Sequence, residues 1–172
     1  MPISKNQSIN MVIIGSVDHG KSTLIGRLLN DTGTLPDGKV NAIKKMCDRR
    51  GIGFEWAFVM DAFQAERDQA VTIDSAHIWF NTEQRSYVIV DAPGHEEFIK
   101  NMVSGASDCS GALLIVDACE GVCEQTRRHV YLMTLLGIKE IIVVINKMDS
   151  INFDEVKYNL VQTDICNYLT KL

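Results

Sequence analysis

The sequence has no long apolar run, no paired cysteines, almost no proline and no excess of positive charge, and each absence excludes a class of protein. The longest apolar stretches are about five or six residues, far short of the roughly 20 that a membrane-spanning helix needs. The first residues, Met1 to Gln7, are mostly polar and lack the apolar core of a signal peptide. Cys47, Cys109, Cys119, Cys123 and Cys166 are odd in number, with no C-x-x-C pair and no nearby histidine doublet. That argues against a disulfide framework or a zinc site and for free thiols in a reducing compartment. Cys109 and Cys119 are expected to pack as small hydrophobes. Three prolines and the absence of low-complexity tracts leave no room for a rigid linker or a disordered tail. The net charge of −5 gives no general attraction to nucleic acid or anionic membrane, so any RNA contact would need a local basic patch. The basic clusters, Arg49-Arg50 and Arg127-Arg128-His129, read as solvated surface. A soluble, cytoplasmic protein is expected.

What is present is one domain's worth of chain, 172 residues, with 46% hydrophobic residues. Short β-branched runs end in a polar residue or glycine: Met11–Ile14 before Gly15, Ser86–Val90 before Asp91, Ala112–Val116 before Asp117, and Ile141–Ile145 before Asn146. Such runs are the signature of strands buried on both faces. Helix-length segments follow, at Lys21–Leu29, Glu96–Ser104, Cys123–Leu136 and Phe153–Leu172. The alternation predicts an α/β fold with an open, mostly parallel sheet and helices on both faces. His77–Thr82 alternates and pairs with Ser86–Val90, adding one antiparallel edge strand. Residues 31 to 73 break the rhythm and read as a long functional segment with a basic helix at Gly38–Arg50.

Gly15-Ser16-Val17-Asp18-His19-Gly20-Lys21-Ser22 fits G-x-x-x-x-G-K-[ST], with a strand before it and a helix after. In that pattern backbone N–H groups wrap a β-phosphate at the positive end of a helix. Lys21 supplies charge to the phosphates, and Ser22 offers a hydroxyl to Mg²⁺. Asn146-Lys147-Met148-Asp149 names the base. A carboxylate at Asp149 accepts from both the ring N–H and the exocyclic amine of guanine, a donor pair adenine lacks. The Lys147 stem is placed to cover the base, and Asn146 to tie this loop to the phosphate loop. Asp91-Ala92-Pro93-Gly94-His95 reads as a γ-phosphate sensor: Asp91 toward Mg²⁺, Gly94 presenting an N–H, His95 beside the attacking water. Thr72 completes the metal's coordination if its loop orders around a γ-phosphate.

These residues together resemble the translation-factor GTPases, over a span from Asn10 to about Leu172. Gly15–Thr23, Asp91–His95, Phe98–Met102 and Asn146–Asp149 carry the likeness. The resemblance implies a phosphate-loop GTPase that takes GTP or GDP with Mg²⁺. Thr72 would be its switch threonine, His95 would position water, and Val17 and Val71 would form a hydrophobic gate. Asp18 would be the additional acidic residue of the phosphate loop. Phe54–Asp61 resembles the factor that delivers aminoacyl-tRNA to the ribosome. Gln64–Arg67 and Glu124–His129 resemble the GTPase subunit of sulfate adenylyltransferase, which works with a catalytic adenylyltransferase partner; a nucleotide-exchange factor is a further partner of the family. Ala70 stands where the family has glycine. The family's last strand and its downstream β-barrel domains are not in this sequence, so residues 1–172 read as a GTP-binding domain ending before its final strand. A phosphate-loop kinase and a binding module without turnover are the competing classes, and Asp149 speaks against the first.

Overall fold

The computed structural model describes residues 8–68, 76–91 and 109–172. Five strands form one sheet in the order β2-β3-β1-β4-β5. They are β1 (Ile9–Gly15), β2 (Ala76–Asn81), β3 (Ser86–Asp91), β4 (Gly111–Asp117) and β5 (Glu140–Asn146). β1 runs parallel to β3 and β4, β4 runs parallel to β5, and β2 alone is antiparallel, against β3. This is the predicted arrangement, and β5 is the strand at the far edge.

All seven residues of β4 are buried, which is what a central parallel strand with both faces covered requires. The side chains alternate between two cores. Val12, Ile14, Ala112, Leu114 and Val116 face one way, against Val130 and Met133 of α4 (Glu124–Leu135) and Val161 and Ile165 of α5 (Glu155–Thr170). Ile13, Leu113 and Ile115 face the other way, against Ile25 and Leu29 of α1 (Lys21–Asp31) and Met60 of α3 (Trp56–Asp68). Helices therefore cover both faces, and the period-2 alternation of short apolar runs is what sorts them.

Several boundaries differ from expectation for local reasons. The last helix begins at Glu155 rather than Phe153, because the Asp154 carboxylate caps it by accepting from the Val156 and Lys157 N–H groups (2.8 and 3.2 Å). Asn152 and Phe153 hold positive φ and cannot be helical. Cys123 is likewise the cap of α4 and not its first turn. Residues 31 to 73 hold two helices, not one. α2 (Lys39–Arg50) matches the basic helix, but α3 was not anticipated. The two pack through Ile43, Cys47 and Val59. The predicted helix at Glu96–Ser104 lies outside the described residues. Cys109 packs against the core as expected, whereas Cys119 is exposed, since it falls in the turn just past the end of β4. His129 is also not surface: it is buried on the inner face of α4. Among the described residues no helix is long and apolar enough to cross a membrane.

Candidate functional site

Parallel pairing brings the polar strand ends to one edge of the sheet. In register, Gly15 lies opposite Ile115, Ile13 opposite Asp91, and Asp117 opposite Asn146. The turn from Gly15 into α1 crosses this edge, and its geometry is set by two αL residues, Asp18 (φ 61°) and Gly20 (φ 92°). Gly20 has no substitute here, because a Cβ would overlap the Asn146 side-chain amide. That amide donates to the His19 carbonyl at 2.9 Å. Asn146 thus ties the loop after β5 to the phosphate loop across the sheet edge, as its position in the sequence suggested.

The His19 ring is fully buried and turned onto β4. The Asp117 N–H reaches its Nδ1 (3.3 Å), and Nε2 lies 3.1 Å from the Glu120 carboxylate. A backbone N–H can only donate, so Nδ1 accepts and Nε2–H donates to Glu120. His19 therefore anchors the loop through its side chain and offers a bound phosphate only its backbone. Ser16, also buried, places its hydroxyl 2.8 Å from the Cys123 thiol at the start of α4.

Lys21 donates to the Gly15 and Ser16 carbonyls, both at 2.8 Å, so its ammonium is folded over the loop. Burial pushes its pKa down, against the pull of the Asp91 and Asp18 charges. Burial likewise pushes the Asp91 carboxyl up, with Lys21 opposing. Each group is desolvated, and the opposite charge supports it only partly. Such a site gains from an added anion beside Lys21 and an added cation beside Asp91.

Lys147 adopts αL (φ 57°) and forms an ion pair with the buried Asp117 at 2.8 Å. Burial raises the Asp117 pKa, but the Lys147 hydrogen bond and the Cys119 N–H (2.6 Å) outweigh it, and the carboxyl sits below its usual value. Asp149 stands in the short 3₁₀ turn Met148–Ile151, exposed beyond Lys147. A cleft of about 340 Å³ joins these parts and is lined by Asp18, Gly20, Lys21, Ser22, Thr23, Glu55, Ala57 and Lys147. Val17 is 40% exposed at the loop's tip. Val71, Thr72, Gly94 and His95 lie outside the described residues.

The Elongation factor Tu GTP binding domain family model matches residues 6–171. The chain belongs to this family. Elongation factor 1-alpha of Halobacterium salinarum is 48% identical over 164 residues, covering 95% of this chain and 39% of that protein. The same factor of Methanocella arvoryzae is 46% identical over 162 residues, covering 94% and 38%. In Pyrococcus horikoshii it is 47% identical over 164 residues, covering 95% and 38%. A crystal structure of a bacterial selenocysteine-specific elongation factor, EF-Sec, superposes with a TM-score of 0.63 at 29% identity, over 96% of this chain and 24% of that one. The chain thus spans about two fifths of the length of its curated relatives. As a member of the elongation factor Tu family it is a guanine-nucleotide-binding, elongation-factor-like GTPase domain. None of these relatives lends support to the sulfate adenylyltransferase branch.

Sequence reasoning missed three parts of this elongation-factor-type site. Asp117 was seen at a strand end, but its role as the Lys147 counter-ion was not. Glu55 and Ala57 reach the cleft only because α3 folds beside α1. Glu120 holds His19 from a turn with no motif of its own. The available signal was a second carboxylate, Asp117, ending the neighbouring parallel strand in register with Asn146.

Two tests follow from this geometry. Asn146→Ala removes the tie to His19, and is expected to lower stability by about 1 kcal/mol in urea unfolding and to weaken nucleotide binding in titration calorimetry. His129 has no hydrogen-bond partner at Nδ1 among the described residues. Burial, then the positive charges at Lys21 and His19, lower its pKa from 6.5 to about 4. Between those values the unfolded chain takes up a proton that the folded chain refuses, so stability should fall as pH drops through that window. The slope is at most about 1.4 kcal/mol per pH unit. Urea midpoints at stepped pH should show a flatter dependence in His129→Leu than in the parent.

Proposed function

We propose that the chain binds GTP in the cleft between the phosphate loop and Lys147 and hydrolyses it slowly, as the switch domain of an elongation factor. The observation that carries this reading is the Asn146–His19 bond, which fixes the base-side loop and the phosphate loop as one unit. On this reading Lys21 exchanges the Gly15 and Ser16 carbonyls for phosphate oxygens. The loop's N–H groups, from Val17 through Thr23, cradle the β-phosphate. The Asp117 ion pair keeps the Lys147 stem extended beside the base, and Asp149 reads the guanine edge.

Mg²⁺ fits the donor set: the Ser22 hydroxyl, the desolvated Asp91 carboxyl and Thr72 would hold it, and it would neutralise charge on the β- and γ-phosphates. Gly94 would donate to the γ-phosphate and His95 would orient the attacking water, with Val17 and Val71 beside it. In the whole protein, aminoacyl-tRNA and the ribosome are the proposed partners, since the relatives are elongation factors.

Without an activating partner the hydrolysis rate should lie in the range of roughly 10⁻⁴ to 10⁻² s⁻¹, measured by phosphate release. Ser22→Ala should weaken GTP binding in Mg²⁺ buffer and change it little in EDTA. Guanine and adenine nucleotides binding equally would overturn the reading.

A further inference from the structure

α2 carries five cations, Lys39, Lys44, Lys45, Arg49 and Arg50, against one carboxylate, Asp48, in a chain whose net charge is −5. These cations are not equivalent. Ile43 and Cys47 fix the buried side of the helix. Lys44 lies over the Phe54 ring, 5.1 Å from its centroid, and is engaged with the domain itself. Lys45, Arg49 and Arg50 instead lie on the side turned from that core, where with Ala42 and Met46 they line a shallow depression of about 320 Å³. All three are exposed.

The ion pairs among the described residues join His19 to Glu120, Arg27 to Asp31, Arg128 to Glu124 and Lys147 to Asp117; they leave out Lys45, Arg49 and Arg50. Elsewhere on the surface the helical arginines Arg27 and Arg128 each have a carboxylate one turn away. At α2 the equivalent positions hold other cations or neutral residues. Favourable interaction with the helix dipole accounts for cations in the last turn, where Arg49 and Arg50 stand, but not for Lys45 in the turn before it.

We propose that this outward face of α2, built on Lys45, Arg49 and Arg50, docks the phosphate backbone of double-helical RNA. The choice of RNA rests on the elongation-factor reading above; the anionic character of the partner rests on the charges alone. Lys45 and Arg49 are one turn apart, about 6 Å along the helix axis, a separation suited to successive phosphates on one strand. Duplex RNA is recognised through backbone and shape, not base edges, so it asks for cations on a rigid element without a matching set of hydrogen-bonding readers. Arg49 and Arg50 supply planar, bidentate phosphate donors. The surrounding acidic surface confines the attraction to this patch and makes it salt-dependent.

The test measures fluorescence anisotropy of a labelled mixed-sequence RNA duplex with the GDP-loaded protein over a series of salt concentrations. Lys45→Ala/Arg49→Ala/Arg50→Ala should weaken binding tenfold or more at low salt and reduce the slope of log K against log salt by about 2 to 3, one phosphate contact per lost cation. Arg49→Lys/Arg50→Lys should keep the slope, and Lys157→Ala/Lys171→Ala should behave like the parent. Equal RNA binding by parent and triple variant, no binding by either, or tighter binding to phosphatidylserine vesicles than to the duplex would each overturn the assignment. GDP titration of the same variants reports separately on the nucleotide site, which this face does not touch. Loss of GDP binding by the parent would remove the GTPase reading, whatever the RNA result.

Discussion

Asp149→Asn is expected to reduce GTP affinity by about a hundredfold or more and to transfer preference to xanthosine triphosphate. The carboxylate lies in the 3₁₀ turn directly after Lys147, exposed at the edge where β1, β4 and β5 end. Lys147 cannot satisfy it, because its ammonium is committed to Asp117 at 2.8 Å. Asp149 is therefore the acceptor left available to the ring N–H and exocyclic amine of guanine. An asparagine presents an amide donor where guanine also offers a donor, so one mismatched pair replaces two good ones. Sites built around such polar pairing discriminate by up to about 10⁴ to 10⁵, well beyond what apolar contact achieves. Xanthine carries an oxygen in place of the exocyclic amine and accepts from the new amide. Calorimetric titration of parent and variant with GDP and xanthosine diphosphate gives the answer. Unchanged GDP affinity in the variant would take Asp149 out of the base site.

The sequence exposed the parts of this fold that local chemistry dictates. Each parallel strand was visible because burial on both faces demands an unbroken aliphatic run, and each run ends where a polar residue turns into a loop. Asn146 could be assigned to the phosphate loop because both lie after parallel strands, and its amide does reach the His19 carbonyl. What escaped was set by tertiary contact. Residues Trp56, Val59, Met60 and Phe63 have helical spacing, and Val59 and Met60 are fully buried, yet glycines at 51 and 53 and the aromatic residues around them suggested a loop. His19 looked like a nucleotide contact because it sits inside the phosphate loop. Its ring is instead consumed by Asp117 and Glu120, residues about a hundred positions away, which no local pattern reveals. The Cys123–Ser16 contact is of the same kind, since only the fold brings the α4 cap to the loop. Thr72 and His95 rest on motif alone, as they lie outside the described residues.

Gly26→Ala should destabilise the domain, although alanine is the better helix former. In an exposed helix interior that exchange is favourable by roughly 0.5–1 kcal/mol, because glycine loses more backbone freedom on folding. Gly26, however, is buried in α1 where the start of α3 crosses it, and an added Cβ would overlap the Trp56 carbonyl oxygen. The obstacle is backbone, not the end of a flexible side chain. Trp56 is held in place by edge-to-face contact with Phe54 at 5.1 Å and by Arg27 over its ring at 5.4 Å. Relief requires α1 and α3 to separate, and forced expansion of a packed contact costs typically 1–3 kcal/mol. Crowding outweighs propensity, and the melting temperature should fall by roughly 2–4 °C for each kcal/mol lost. Glu55 and Ala57 line the nucleotide cleft at the same crossing, so GDP affinity should fall together with stability. Gly53→Ala is the matched control: nothing lies within 4 Å of its added Cβ, so it should be neutral or slightly stabilising. Thermal unfolding followed by circular dichroism separates the two, and a Gly26→Ala protein melting at or above the parent would show that α1 and α3 do not pack this closely.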